Sequence, residues 1–292
     1  MSQSIPSTYR GVYSRWFYLP AAVIFGVFFL APTAISFFFA FTRWTLFDWE
    51  WIGFENFEQF FKEPALTKGL RNTIIYAAVT SSLKVVLGLL LAVLLTSRIR
   101  ARGLMRSMVF FPVLVSTVAI GVTFSVLLHP SDGLVNVALA VVGIDGPAWL
   151  TDPRIALLSV AIVDVWKGVG LATLIYIAGI VSIPREYLEA VSIDGGGFYQ
   201  RLRYVIIPLA RPATFTVILL SFVGGLRTFD LIWTMTGGGP GFTTDVLAST
   251  IYKQYQAGFY GLATAGNVVL FLVVVLLAYP MQRYFISKEL QL

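Results

Sequence analysis

The chain has 292 residues, of which 57% are hydrophobic and 12% are charged, with a formal net charge of +6. A soluble domain carries roughly 25% charged residues, so an aqueous core of this size could not bury so much apolar surface. Lipid is therefore the expected solvent. The absence of cysteine excludes disulfides, thiolate catalysis and cysteine metal sites.

A helix needs about 20 residues to cross a hydrocarbon core of roughly 30 Å. The sequence contains six apolar runs of about this length, which predict six membrane-spanning helices and an all-α, polytopic fold. The runs are 17–41, 72–96, 108–128, 155–181, 213–235 and 262–285.

Basic residues are distributed unequally between the two sides of the predicted bundle. Short cytoplasmic loops retain Lys and Arg, so the side that holds more of them is expected to be cytoplasmic. The richer side contains Arg10, Arg15, Arg98, Arg100, Arg102, Arg106, Arg185, Arg201, Arg203, Arg211, Arg283 and Lys288. This bias predicts a membrane domain at 17–286 between two cytoplasmic tails, 1–16 and 287–292.

Two segments outside the spans have more than one interpretation. The arginines between residues 98 and 106 have no acid beside them and could bind nucleic acid, but their position between two spans favours a topogenic loop. No nucleic-acid partner is therefore expected. The opposite segment, 42–71, is acidic and aromatic. It is either a short interfacial helix or partner-facing cap, or an aromatic anchor at the lipid headgroups.

A loop of about thirty residues, 182–212, joins the fourth and fifth spans. Its first part, 184–193, begins with a proline suited to the first helical position and has apolar residues at helical spacing. Asp194 and three glycines then break the helix, and helical spacing resumes until Pro208. The pattern predicts two short helices at a sharp corner. One could rest on the bundle while the other enters a groove of a partner. An amphipathic helix that lies on the lipid surface is the alternative.

The same loop resembles the EAA signature of permease subunits in binding-protein-dependent ABC importers. The matching residues are Glu189, Ala190, Asp194, Gly195, Ile207, Pro208 and Pro212. Weaker matches lie in the second span, at its exit loop and in the TGGGP run at 236–240, and they resemble the sugar-importing branch that contains the larger maltose-type permease.

This resemblance implies a type I ABC importer permease in a bacterial inner membrane, carrying a sugar or oligosaccharide. It implies that the loop forms coupling helices in a cleft of an ATPase subunit, with Glu189 making a polar contact and Gly195 allowing the corner. The implied partners are a second permease, two ATP-binding subunits that hold ATP and Mg, and an extracytoplasmic solute-binding protein. Glycerol phosphate or another small polar solute is the alternative cargo.

Several ionisable residues lie inside the predicted spans, where a charge costs on the order of 2.5 to 3.5 kcal/mol at the bilayer centre. Asp164 and Lys167 are three residues apart, as are Arg227 and Asp230, so each pair is predicted to form a salt bridge on one helical face. Direct contact with a solute is the alternative. Lys84 has no partner nearby in sequence, so it either snorkels or pairs across helices, and contact with the solute is the alternative.

A sugar path needs aromatic faces for C–H surfaces and polar groups for hydroxyls. The candidates in the fourth and fifth spans are Trp166, Tyr176, Phe222, Phe229, Asp230 and Trp233. Packing or lipid contact is the alternative role for these aromatic residues. Gly224 and Gly225 are expected to allow either close helix approach or a local bend.

No catalytic or metal-binding constellation is present in the sequence, so the chain is not expected to be an enzyme. The glycine run at 237–241 lacks the Lys and Ser or Thr of a phosphate loop, and His129 is the only histidine. ATP hydrolysis is therefore expected on other subunits. The rival classes are a secondary transporter that uses Asp164, Lys167 or Asp230 as an ion relay, and a membrane-embedded enzyme.

Overall fold

A computed structural model describes residues 15–45, 47–97 and 99–289. The predicted tails 1–16 and 287–292 lie mostly outside these ranges, as do Arg10 and Arg98 of the basic set. Within them the chain is almost wholly helical and contains one antiparallel two-stranded ribbon, in which Thr42 pairs with Trp51. The predicted all-α class is confirmed, with this ribbon as a small addition.

The elements follow one another without domain division. The ribbon strands are β1 Thr42–Trp44 and β2 Trp49–Trp51. The helices are α1 Trp16–Phe39, α2 Glu55–Lys62, α3 Pro64–Thr96, α4 Arg102–Leu114, α5 Thr117–Leu127, α6 Leu134–Val141, α7 Ala156–Val181, α8 Arg185–Ile193, α9 Phe198–Leu209, α10 Arg211–Leu226, α11 Asp230–Thr236, α12 Leu247–Gln256 and α13 Tyr260–Glu289.

Four helices of the described residues are long and apolar enough to cross a membrane by themselves, namely α1, α3, α7 and α13. Two helix pairs meet the same requirement together, each bent at a short break: α4 with α5 by 98°, and α9 with α10 by 66°. By length and composition the described residues thus contain four to six spans, which agrees with the predicted number, although the second bent pair begins at Phe198, inside the loop 182–212, and not at residue 213.

The third and fifth predicted spans are broken, which the apolar runs did not reveal. Pro112 lies inside α4 just before Val115 and Ser116, whose backbone is extended. The proline weakens the turn before it, because it lacks an N–H donor and its ring crowds the carbonyl four residues earlier, but the helix ends only after Leu114. The run 213–235 likewise consists of two helices, because α10 ends at Leu226 and α11 begins at Asp230.

The bundle is organised around α3, which packs along α7 and α10. Leu66 and Leu247 belong to a buried cluster at the end that carries the ribbon. Tyr76 and Val160 lie in the central cluster, and Ala92 belongs to a third cluster beside the loop 182–212. We call the end of the bundle that carries the ribbon the ribbon end, and the end beside the loop 182–212 the elbow end. They lie at opposite ends of α3.

The first helix is attached to the bundle mainly by its last turns. No residue of the apolar span Trp16–Phe39 is buried, whereas Ala40 immediately after it is buried with Ala265 and Val268 of α13. Phe37 makes an edge-to-face contact with Phe271, with 5.4 Å between ring centroids. The remaining apolar surface of α1 therefore needs lipid or another apolar chain around it.

Adjacent glycines on α10 have different surroundings, which gives a matched test of helix packing. A Cβ added to Gly225 would lie 2.6 Å from the Cα of Ala77 on α3, whereas one added to Gly224 would meet nothing within 4 Å. We expect Gly225→Ala to lower the free energy of unfolding by about 1–3 kcal/mol, because backbone atoms cannot yield to the added methyl group.

The control for this prediction is Gly224→Ala, which should leave stability unchanged or raise it by up to about 1 kcal/mol through lower backbone entropy in the unfolded chain. Thermal unfolding of both purified variants in detergent measures the difference. Equal melting temperatures for the two variants would contradict the close approach of α3 and α10.

Candidate coupling elbow and solute path

Residues 182–212 form a bent helical element that we call the elbow. Its corner follows α8, where Gly195 has φ +74°, a conformation that favours glycine. The amide of Gly196 donates to the carbonyl of Val191 at 2.7 Å, and the amide of Gly195 donates to that of Ser192 at 3.2 Å. These bonds satisfy the last carbonyls of α8 and end the helix as the glycine run predicts.

The two arms of the elbow are held together and attached unequally to the bundle. Arg201 of α9 donates a hydrogen bond to the Ser192 hydroxyl of α8 at 2.7 Å. On α9, Val205 is buried, and Leu202 and Ile206 pack against the elbow-end cluster. By contrast, α8 has no buried residue. The second arm therefore rests on the membrane bundle, while the first arm projects from it.

The projecting surface combines the EAA residues with exposed apolar side chains. Glu189, Ala190, Asp194 and Gly195 are all exposed, and Pro208 is partly buried. Sequence reasoning did not single out the apolar residues around them. These are Tyr187, Ile193, Phe198, Tyr199 and Tyr204, of which Ile193 is 86% exposed. Exposed apolar residues of this kind mark surfaces that bind another protein or a membrane.

A buried ion pair lies in the middle of the bundle, and its partners differ from those predicted. The ammonium of Lys84 on α3 lies 3.0 Å from the carboxylate of Asp164 on α7. The side chains are 10% and 21% exposed. Lys84 thus pairs across helices, one of the two possibilities considered for it, and the predicted pair of Asp164 with Lys167 is wrong. Lys84 can reach Asp164 because α3 and α7 pack closely and Gly168 leaves room beside it.

The predicted pair of Arg227 with Asp230 is also absent from the described residues. Arg227 follows the end of α10 and Asp230 begins α11, so no continuous helix brings positions three apart onto one face. Both residues are exposed. The spacing of Arg227 and Asp230 was misleading because no proline marks the break in the fifth span, so the run was read as one continuous helix.

A small cavity lies beside the Lys84 ammonium. Its volume is about 120 Å³ and it opens to the bundle surface between α7 and α10. Its lining residues are Lys84, Gly168, Leu171, Ala172, Ile175, Val217, Leu220, Ser221 and Gly224. The site is mostly apolar, with an ammonium and a hydroxyl as its polar side-chain groups. Gly224, considered for close packing or a bend, lines this cavity instead.

The six candidate path residues do not converge on one site. Phe229 and Trp233 stack with 5.6 Å between ring centroids. Trp166 instead packs against Phe124 of α5, and Tyr176 is buried in the elbow-end cluster. Phe222 is partly buried and lines none of the cavities described in this section. Phe229 and Trp233 thus contribute to one aromatic surface, and Asp230, which lies between them in sequence, is exposed at the start of α11.

Sequence reasoning missed Tyr252, which completes an aromatic group at the ribbon end. Its ring lies edge-on to Trp233 at 5.0 Å and to Phe229 at 5.3 Å. A cleft of about 450 Å³ adjoins this group. Its lining residues are Trp44, Phe229, Ala248, Ile251, Tyr252, Tyr255, Ala263, Thr264 and Asn267. Aromatic faces with a few polar groups suit a carbohydrate.

The glycine run at the ribbon end forms an ordered loop between α11 and α12. Asp245 is fully buried and accepts hydrogen bonds from Lys253 at 2.7 Å and from Ser249 at 2.7 Å. The side-chain amide of Asn72 donates to the carbonyls of Thr243 and Asp245. This network fixes the loop to the start of α3. The glycine run forms a turn between α11 and α12, as the sequence predicts.

Among the described groups outside the spans, Glu58, Asp152 and Arg154 have resolved pKa shifts. The hydrogen bond from Arg154 lowers the pKa of Asp152, and the hydrogen bond from Lys62 lowers the pKa of Glu58. Both carboxylates remain ionised at neutral pH. Among the described residues, no group of three or more His, Cys, Asp or Glu side chains could hold a metal ion.

A polytopic bundle with broken spans, a buried ion pair and an exposed helical elbow is the architecture of a membrane permease. Residues 84–289 match the family described as binding-protein-dependent transport system inner membrane component, and the chain belongs to this family. The resemblance seen in the EAA residues is thereby confirmed. Membership places the chain in an inner membrane as a transport component rather than an enzyme.

The chain is similar to curated proteins over most of its length. It is 32% identical to a probable ABC transporter permease protein of Pyrococcus horikoshii, over 92% of this chain and 94% of that protein. It is 31% identical to the trehalose/maltose transport system permease protein MalF of Thermococcus litoralis, over 88% of each chain. A lactose transport system permease protein, LacF of Rhizobium radiobacter, is 30% identical over 94% of this chain and 95% of that protein.

The fold is that of a solved ABC importer chain. In a crystal structure of a bacterial ABC transporter involved in the import of the acidic polysaccharide alginate, one chain matches with a TM-score of 0.84 and 23% identity. The match covers 93% of this chain and 94% of that chain. The expected ABC importer permease fold is confirmed.

Proposed function

We propose that this chain is a permease subunit of an ATP-driven importer for a sugar or oligosaccharide, forming half of the translocation path. The observation that carries the proposal is the elbow. One arm is packed on the bundle, and the other arm is free and surrounded by exposed apolar side chains. A rigid element of this shape transmits movement of a bound partner to the membrane helices.

The proposed assembly places the ATP-consuming step on other chains. Two ATP-binding subunits hold ATP and Mg, and one of them receives α8 in a surface cleft, with Glu189 making a polar contact. A second, related permease supplies the other half of the path, and an extracytoplasmic solute-binding protein docks at the ribbon end. Both termini lie in the cytoplasm, in keeping with the basic residues at the elbow end.

The proposed cycle uses two conformations with different access. ATP-driven closure of the motor subunits draws the elbows together, and the bundle opens towards the solute-binding protein. Hydrolysis then returns the bundle to an inward-open state. The breaks within the third and fifth spans, where the halves of a span are separate helices, are the positions at which the outer and inner halves can rotate relative to each other.

A saccharide cargo is supported by two observations. The aromatic group of Phe229, Trp233 and Tyr252 adjoins a cleft that also presents Thr264 and Asn267. The similar proteins named above include transport permeases for trehalose and maltose and for lactose. The cargo is identified in two steps. The partner subunits are copurified with this chain, and saccharides and glycerol phosphates are then screened for stimulation of ATP hydrolysis in proteoliposomes.

The coupling role of the elbow is tested with two glutamates of α8. Glu189 and Glu186 are both exposed on this helix. We expect Glu189→Ala to leave the bundle folded but to reduce ATPase copurification or ATP-driven import at least tenfold, a loss of about 1.4 kcal/mol in coupling. Glu186→Ala is the matched control and should retain near wild-type import. Full import by the Glu189 variant would refute the proposed contact.

A further inference from the structure

The strongest unassigned feature is the ion pair of Lys84 and Asp164 together with the cavity beside it. Lys84 lies near the middle of the 33-residue helix α3 and at the centre of the predicted span 72–96, so the depth expected for it is that of the bilayer core. An ionisable residue at this depth normally faces the protein interior or a water-filled path and marks a functional site. Pairing with Asp164 offsets most of the free-energy cost of burying the Lys84 charge, but it does not explain why a charge is present there.

The local sequence is adapted to the extended Lys84 side chain. A Cβ added to Gly168 would lie 2.7 Å from the Cε atom of Lys84 and 2.9 Å from its Nζ atom. Any other residue at position 168 would therefore displace the ammonium. Lys84 and Gly168 line the cavity together with Ser221 and Gly224 of α10.

The ammonium has hydrogen-bonding capacity that the protein does not use. Lysine has three N–H donors, and the described residues supply one hydrogen-bond acceptor, the Asp164 carboxylate. Lys84 also carries the only charge among the residues that line the cavity. The other lining side chains are apolar except Ser221, so the cavity offers C–H contacts and a small number of directed hydrogen bonds.

The carboxylate side of the pair is itself part of a buried polar cluster. The hydroxyl of Tyr76 lies beside Asp164 and Thr228, and the residue is fully buried. Thr228 belongs to the break between α10 and α11. Asp164 thus neutralises Lys84 without itself lining the cavity.

We propose that Lys84 contacts the cargo inside this permease, and that its pairing with Asp164 selects uncharged polyhydroxylated solutes over anionic ones. This inference rests on the proposed transport function and narrows its cargo class. The ammonium donates hydrogen bonds to solute hydroxyls, while the aliphatic walls contact the C–H faces. Because the pair has no net charge, a carboxylate or phosphate on the solute gains no ion pair that would offset its desolvation.

A charge swap separates cargo contact from a purely structural role. The double variant Lys84→Asp with Asp164→Lys keeps an ion pair between α3 and α7 but moves the ammonium away from the cavity. In proteoliposomes that contain the complete complex, we expect binding-protein-stimulated ATP hydrolysis within about threefold of wild type and maltotriose import reduced at least tenfold. Restoration of full import by the swap would overturn the inference.

A second double variant covers the case in which the swap does not assemble. Lys84→Met with Asp164→Leu replaces the pair by apolar residues of similar volume, a change that buried ion pairs often tolerate. It should also hydrolyse ATP with little import, and full import would overturn the inference. Photolabelling of the wild-type complex with diazirine-maltotriose requires no variant. Labelled peptides containing residue 84, 168 or 221 support the inference, and labelling only elsewhere overturns it.

The charge selectivity has its own readout. The wild-type complex should import maltotriose and exclude its C6-oxidised uronate analogue, whereas Asp164→Asn, which leaves the ammonium unneutralised, should raise the uronate-to-maltotriose import ratio at least tenfold. An unchanged ratio in Asp164→Asn would overturn the inference while leaving the proposed function intact. Absence of any ATP-dependent solute import by the wild-type complex would instead refute the proposed function.

Discussion

Replacement of Gly195 by valine should uncouple ATP hydrolysis from transport while leaving the membrane bundle folded. Gly195 has φ +74°, and no atom lies within 4 Å of the position that a Cβ would take. The expected defect is therefore conformational rather than steric. A β-branched residue in this region costs about 1–3 kcal/mol, which shifts the corner equilibrium roughly 5- to 150-fold.

The corner is well suited to this test because its two arms have separate attachments. The second arm is packed on the elbow-end cluster through Leu202 and Ile206, so it remains in place when the corner changes. The first arm has no buried residue and would be redirected. We therefore expect a loss of ATPase attachment and of ATP-driven import, with the thermal stability of the detergent-solubilised bundle nearly unchanged.

Gly195→Asn is the matched control, because asparagine tolerates the left-handed region far better than valine does. The asparagine variant should retain import close to wild type, which separates backbone conformation from the mere presence of a side chain. Copurification of the ATPase and import into proteoliposomes measure the two variants side by side. Equal impairment of both variants would show that the exposed surface at this position, not its backbone angle, determines coupling.

Much of the fold could be predicted from the sequence because the bilayer imposes one strong rule. Each apolar run of about 20 residues must be helical, since lipid cannot satisfy exposed backbone groups. The same reasoning failed at the breaks near Ser116 and Thr228, because a break between packed helices preserves the apolar composition of the run. The elbow was more accessible to prediction, because three consecutive glycines and three prolines give it local signals.

The contacts of the candidate site depend on pairings between helices, which sequence spacing does not report. Asp164 was expected to pair with Lys167 three positions away, but its partner Lys84 is eighty positions away in sequence. Tyr252 was missed as a path residue for the same reason. It lies on α12, after the ordered loop in sequence, but the fold brings its ring into contact with Phe229 and Trp233. Local periodicity identifies which residues share a helical face, whereas tertiary packing decides which faces meet.

Lysine 253 should contribute more to stability than its partly exposed position suggests. Its ammonium forms hydrogen bonds of 2.7 and 3.0 Å to the two carboxylate oxygens of Asp245, whose side chain is fully buried, while its own side chain is 31% exposed. Removal of one member of a buried ion pair costs about 3–5 kcal/mol when the remaining charge is left unpaired. Lys253→Met leaves the buried carboxylate without its cation and should approach this cost.

Substitution of Asp245 should lower the free energy of unfolding less than substitution of Lys253, and this difference is the test. Asp245→Asn leaves Lys253 free to turn its ammonium into water and preserves an acceptor for Ser249, so we expect a smaller loss of about 1–3 kcal/mol. The double variant should be more stable than Lys253→Met alone, because the unpaired buried charge is gone. Lys62→Met, which breaks an ion pair exposed on both sides, should cost no more than about 1 kcal/mol.

Unfolding of these variants in detergent gives the order of stability, and docking of the solute-binding protein gives the functional consequence. Asp245 also lies against Gly238, where an added Cβ would overlap the carboxylate, so release of Asp245 frees the whole glycine loop at the ribbon end. We expect Lys253→Met to weaken stimulation of ATP hydrolysis by the binding protein, with basal hydrolysis retained. A Lys253 variant as stable as Lys62→Met would show that the buried carboxylate does not depend on this cation.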